Sequence, residues 1–490
     1  MGRDALSPDT TWDRLFIDGD WREADGETIA VKNPATREQF ASVPAGTVED
    51  VDEAFEAAAD AQSDWAALSR TQRLEHVERL RDLIQENFQE IVHLLAVEAG
   101  STQGKATGEV GITLSDFATA LDLEPPEPAV RDSAFVDDKQ HHIVHEPVGV
   151  VSIISPWNYP LHLTTRALAP ALALGNTVVV KPATDTPIVG GLVLAKLADE
   201  AGLPDGVVNV VTGKGSEIGD RVAGHPVPRV LAFTGSTAVG RAVAGSAGEN
   251  ITMPTLELGG NGPFLVTADV DVEHAARIGA VGSFTHQGQV CISINRHLVH
   301  EEVYDEYVTQ LVEHAESFTI GDPTDPETDF GPVINEAQRD ELLEFIGKTL
   351  DQGATLETGG DADGLFVEPT VLSGAENDMA AACNEHFGPV APVIPITTAD
   401  HGIELANDTE YGLAAALYCN DVDRARELAG RIQAGMVHVN DHPIQDEPNA
   451  PFGGVKESGL GRYNGEWVME KLLEPKWISV QHEKREYDLL

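Results

Sequence analysis

Three cysteines in 490 residues, at positions 291, 383 and 419 and without CxxC spacing, argue against a disulfide framework and against a zinc knuckle. Basic residues are scarce as well: 32 Lys and Arg stand against 81 Asp and Glu, a formal charge of −49. Such a field opposes binding to nucleic acid or to an anionic membrane, so neither partner is expected. No apolar run approaches the roughly 18 residues that a spanning helix needs. The first residues, Met1-Gly-Arg-Asp-Ala-Leu6, lack the apolar core of a secretory signal, and a cytoplasmic protein is expected. Internal repeats and low-complexity linkers are also missing.

What is present reads as a globular protein of more than one domain, because 490 residues exceed a single ordinary core. The acids are spread along the whole chain instead of gathering in a tail, so the charge belongs to the surface. A carboxylate surface of this density stays hydrated and is screened in molar salt, from which we expect a halophilic source and a salt requirement for stability.

Short strands and turns occupy about 11–45, and Thr47 to Ala67 has helical period. Ser69-Arg-Thr-Gln72 resembles a capping box that opens a long helix reaching Gly100. Buried-strand signals at Val148–Ile154, Asn176–Lys181, Val207–Val211 and Arg229–Phe233 alternate with helical stretches. This alternation predicts a doubly wound, mostly parallel α/β sheet, with ligands beyond the carboxyl ends of its strands. A second alternating block begins at Thr255-Leu-Glu-Leu-Gly-Gly-Asn261. Ser133 to His145 and Lys476 to Gln481 read as extended. His141, His142 and His145 lack an accompanying carboxylate–His pattern, so an exposed strand is expected there and no metal.

Several segments could carry chemistry. Phe284-Thr-His-Gln-Gly-Gln-Val-Cys291 sets a cysteine after a loop-like run in which Gly288 lets backbone approach the sulfur, and a thiol that attacks carbon must be reachable. Phe233-Thr-Gly-Ser-Thr-Ala-Val-Gly240 passes from a strand into a helix, where free amides and the dipole attract a pyrophosphate. Lys181 ends a strand on the same face. The amide of Asn158, in a Pro-Trp-Asn loop, is suited to an oxyanion. Glu257, after small and apolar residues, suits a general base of raised proton affinity. Glu385 and Phe387 suit a ribose and a flat ring. Each segment alone also fits an ordinary turn or strand end.

Together these segments, with Pro156-Trp-Asn158, Lys181-Pro-Ala183, Glu385-His-Phe-Gly-Pro389 and Pro451-Phe-Gly-Gly-Val-Lys-Glu-Ser-Gly-Leu-Gly-Arg462, resemble the aldehyde dehydrogenase superfamily over essentially the whole chain. The resemblance implies an α/β fold in three parts. A Rossmann-type cofactor domain would span 1–129 and 148–256, a catalytic domain 257–447, and a small β oligomerisation element 130–147 and 465–490. It implies a homodimer or homotetramer, NAD or NADP as cofactor, and oxidation of an aldehyde to the acid through a thiohemiacetal and a thioester. Cys291 would be the nucleophile, as thiolate, Asn158 an oxyanion donor and Glu257 the base that activates water. Pro156, Trp157, Lys181, Gly235, Ser236, Gly240, Glu385 and Phe387 would bind the cofactor. Thr184 stands where an acid often lies in NAD-preferring members, so NADP is expected to be accepted.

Leu172-Ala-Leu-Gly-Asn-Thr-Val178, Thr186-Pro-Ile-Val-Gly-Gly191 and Asp441-His-Pro-Ile-Gln-Asp-Glu-Pro448 look most like the benzaldehyde and vanillin dehydrogenase branch, which points to an aromatic substrate. An aliphatic or sugar-derived semialdehyde stays open, as do a CoA-acylating enzyme and a catalytically silent homologue.

Overall fold

The valine-rich runs of the first half become the parallel centre of one sheet. In a computed structural model of the chain, which describes residue 6 and residues 10–23 and 27–487, five parallel strands lie side by side. Their order is Val208–Val210, Thr177–Lys181, Val150–Ile154, Val230–Thr234 and Met253–Glu257. Val178, Val179 and Val180 are fully buried, as expected of strands covered on both faces. A hairpin of Leu15–Ile17 and Asp20–Arg22 closes one edge, and Gly459–Leu460 pairs antiparallel with Met253–Glu257 at the other.

Strand order reverses at Val150–Ile154. From there the chain winds one way through Thr177–Lys181 and the other way through Val230–Thr234. The loops leaving the two diverging strands part at such a switch point and open a crevice.

Seven strands form the second sheet, in the order Thr355–Thr358, Thr370–Ser373, Val390–Ile396, Ile294–His300, Gly262–Val266, Ala414–Tyr418 and Met436–Val439. All are parallel except the first. A third, antiparallel sheet joins Ala129–Asp132, Lys139–Pro147 and Leu473–Gln481, with Leu473 opposite Pro147 and Gln481 opposite Lys139. Trp477, on its edge strand, is 67% exposed.

Several predicted elements need correction. The capping box at Ser69 and Gln72 forms, but the expected long helix is two, Arg70–Glu86 and Phe88–Ala99. Asn87 breaks it: its amide donates to Leu83 O while its carbonyl accepts from Leu6 N. Such local side-chain bonds compete with helical ones. The extended run begins at Lys139 and not at Ser133, because a turn with Asp138 at φ 56° precedes it. The helix Gln103–Asp122, unread in the sequence, packs on Pro160–Ala173. No helix among the described residues is long and apolar enough to cross a membrane.

Candidate active site

Cys291 follows a backbone turn that few sequences allow. The helix Val272–Phe284 ends, and then His286, Gln287 and Gly288 take φ values of 50°, 57° and 68° in succession. Gly288 packs against backbone on its own account: a Cβ there would lie 2.1 Å from Gly388 O. The residue that approaches the cysteine is Gly260, where a Cβ would lie 2.2 Å from Cys291 O.

Cys291 keeps partial solvent contact. Even so, burial pushes its thiol up to about 12; Arg166 opposes the shift, and Glu385, Glu257 and Asp446 add to it. Burial thus works against the thiolate that attack on an aldehyde requires. Burial and three nearby carboxylates outweigh a single guanidinium.

Asn158 lies in the loop leaving Val150–Ile154 and is buried. Its Nδ2 donates to Gln289 O at 2.9 Å, two residues before the cysteine. Glu257 ends its strand opposite Thr234 and is only 2% exposed. Neither of its carboxyl oxygens has a hydrogen-bond partner in the protein. Burial raises it to about 8, with Arg166 and Arg462 pulling the other way. A buried carboxyl that bonds to nothing is costly, and it is free to hold a proton or a water.

Pro156, Trp157, Asn158, Gly235, Ser236, Glu257, Cys291, Glu385 and Phe387 line one cleft of about 260 Å³ at the switch point. Trp157 and Phe387 meet edge to face, with ring centroids 5.4 Å apart. Phe387 has φ 52°, a strained conformation for an aromatic residue, and Gln338 Nε2 donates to both His386 O and Phe387 O. Glu385 accepts from Gly260 N at 2.8 Å, and burial raises it to about 7. Gln338 and Glu341 also line the cleft, and the sequence reading missed both.

Lys181, Thr184 and Gly240 are not among the residues lining that cleft. Lys181 ends its strand buried, donates to Pro182 O at 2.9 Å, and is lowered by burial to about 8. Thr184 donates to Gly213 O at 3.4 Å and faces a separate cavity that also holds Glu98 and Asp185. Gly240 lets its helix pack closely, since a Cβ would lie 2.3 Å from a Leu258 methyl.

A buried ionic group beside the cleft was also missed. Asp446 accepts from His162 Nε2 at 2.8 Å and from Arg166 at 3.1 Å, while Asp116 takes His162 Nδ1 at 2.8 Å. The two carboxylates raise His162 to about 9 against its burial, and Asp446 is held at about 2. Arg166 lies over the rings of Phe452 and Tyr463. Asp446 falls within the Asp441–Pro448 run, but partners 280 residues away leave no local signal.

His141 accepts from the Trp477 indole at 2.9 Å. Among the described residues no group of three His, Cys, Asp or Glu is placed to hold a metal ion.

A dinucleotide fits this arrangement on two grounds. The helix Thr237–Glu249 starts at the mouth of the cleft with Ser236 as its N-cap, and the rings of Trp157 and Phe387 offer flat apolar surface in the same cleft. The family model for the aldehyde dehydrogenase family matches residues 21–478, and the chain belongs to that family. It is an NAD(P)-dependent enzyme that oxidises aldehydes.

The chain is 41% identical over 475 residues to the benzaldehyde dehydrogenase YfmT of Bacillus subtilis, covering 97% of this chain and 98% of that protein. It is 42% identical over 469 residues to a vanillin dehydrogenase of Corynebacterium glutamicum, covering 95% and 97%. Among solved structures, betaine aldehyde dehydrogenase of Staphylococcus aureus in complex with NAD+ superposes with a TM-score of 0.95 at 33% identity, covering 98% and 97%.

Proposed function

We propose that the physiological substrate is an aromatic aldehyde of the benzaldehyde or vanillin type, oxidised to its carboxylic acid. The resemblance of the substrate-side segments and the names of two relatives, a benzaldehyde and a vanillin dehydrogenase, support this reading. A semialdehyde of aliphatic or sugar origin is the competing substrate class.

In this reading the Cys291 sulfur adds to the aldehyde carbon and gives a thiohemiacetal once its proton has left. The second N–H of Asn158 and the Cys291 backbone amide hold the oxyanion. A dinucleotide held by the cleft would supply the acceptor for the hydride that leaves this carbon. Glu257 then draws a proton from water, which adds to the thioester carbonyl and releases acid and thiol. Water activation by Glu257 disfavours a CoA-acylating enzyme, whose thioester must be spared from hydrolysis. The observation that carries the reading is the single cleft joining Cys291, Glu257 and Asn158 to the switch-point loops.

Pro156, Trp157, Gly235, Ser236, Glu385 and Phe387 would hold the dinucleotide, with Lys181 and Thr184 at its adenosine end and Gly240 supporting the helix. No carboxylate occupies position 184, so NADP is accepted. We also infer that the first sheet carries the cofactor, that the second carries the catalytic half, and that the three-stranded sheet joins subunits into a dimer or tetramer. A cytoplasmic, halophilic setting fits the acidic surface. A panel of aromatic and aliphatic aldehydes assayed with both cofactors in molar KCl, without CoA, tests the reading. The highest specificity constant should fall on an aromatic aldehyde; a clear preference for a semialdehyde would overturn the assignment.

A further inference from the structure

A buried ion pair of the helix Gln103–Asp122 grips the loop that carries Asn158 from both sides. The helix Pro160–Ala173 begins with Tyr159 in the capping position, which supplies no side-chain acceptor. Proline has no N–H, so the first free amides are those of Leu161 and His162. Glu109 takes both, its Oε1 accepting from Leu161 N at 2.9 Å and from His162 N at 3.3 Å. Glu109 is wholly buried, and Lys105, one helical turn away, neutralises it at 2.5 Å. A second N–H of that ammonium donates to Asn158 O at 2.7 Å, and the charge lies 4.1 Å from the centroid of the Tyr159 ring.

A buried ion pair is weak evidence for stability, because matched apolar residues often serve as well. The side-chain hydrogen bonds that this pair makes beyond itself, and its ring contact, fall on residues 158–162, directly behind the amide that faces the cysteine segment. That amide is already committed on one side, through Nδ2 to Gln289 O at 2.9 Å, which leaves its other N–H as the free donor. Its direction then depends on where the Asn158 backbone is held.

We propose that Lys105 is a positioning residue of the active site: its ammonium, seated on Glu109, fixes the Asn158 carbonyl and so aims the free amide N–H at the developing oxyanion. The proposal rests on the oxyanion role given to Asn158 above. Lys105 touches neither substrate nor cofactor in this role.

The test is a double-mutant cycle with Lys105→Met, Asn158→Ala and the double variant, each read for kcat, KM, cofactor affinity and thermal unfolding. Lys105→Met should lower kcat by on the order of tenfold to a hundredfold, the scale of a misplaced catalytic group. The KM for aldehyde and the affinity for cofactor should stay within about twofold. Lys105→Arg, which keeps the cation, should recover part of the loss. In the Asn158→Ala background, Lys105→Met should cost nothing more. An equal loss in both backgrounds, or a loss matching only the unfolded fraction, would overturn the proposal. A loss at Asn158→Ala with none at Lys105→Met would defeat it alone and leave the oxyanion role standing; wild-type kcat in Asn158→Ala would defeat both. Should Lys105→Met fail to fold, Lys105→Met with Glu109→Gln leaves no unpaired buried charge and carries the same cycle.

Discussion

Gly453 packs so closely on Glu257 that a Cβ added to it would lie 2.9 Å from Oε1. The same atom would meet Gly461 O at 2.8 Å, and φ there is +149°, so only glycine sits without strain. Gly453→Ala should push the Glu257 carboxyl out of place. We expect kcat to fall about tenfold or more, with a stability loss of roughly 1–3 kcal/mol. Steady-state assays and chemical denaturation read the two effects separately.

The buried carboxyl of Glu257 should appear in the pH profile. A base must be deprotonated to act, and Glu257 is raised to about 8, so the hydrolytic step should quicken as pH rises through that value. Glu257→Gln should abolish steady turnover and keep a burst of reduced cofactor. A profile that falls between pH 7 and 9 would remove Glu257 from the role.

Stability has a linked pH dependence. Glu257 and Glu98 are both raised to about 8, so each binds its proton more tightly folded than unfolded. Their contribution is complete below the ordinary glutamate value of 4.5 and is lost as pH climbs through about 8. Asp446, lowered to about 2 by His162 and Arg166, works in reverse and loses its contribution as pH falls from 3.8 toward 2. Denaturation across pH should show the alkaline loss, and Glu257→Gln should flatten part of it.

Much of this was legible from local sequence. Val178 to Val180 cannot avoid burial, and the loops after Ile154 and Phe233 carry Asn158 and Ser236 to one crevice because strand order reverses between them. What escaped depends on distance or on weak local signals. The helix Gln103–Asp122 contains Gly104, Gly108 and Gly111, which dilute its helical pattern, so Lys105, Glu109 and Asp116 were not seen. The junction of Arg166 and Asp446 exists only in the folded chain. The upward push on the Cys291 thiol comes first from burial and then from carboxylates brought in by three separate segments.

Position 184 should govern cofactor choice. Thr184→Glu places a carboxylate where it would repel a 2′-phosphate. The specificity constant for NADP should drop by about tenfold or more while that for NAD changes little. An unchanged ratio would show that the phosphate lies elsewhere.

The charge of −49 should make stability depend on salt. Thermal unfolding in about 2 M KCl should occur well above that in about 0.1 M, because screening relieves repulsion among surface carboxylates. Full stability in dilute buffer would contradict the halophilic reading.

Acyl-enzyme trapping tests the chemistry at its centre. Glu257→Gln, mixed with the best aromatic aldehyde and oxidised cofactor, should release one equivalent of reduced cofactor per active site. Peptide mass spectrometry should then find the matching acyl group on Cys291. An acyl group on Cys383 or Cys419, or continued turnover with Cys291 unmodified, would contradict the assignment.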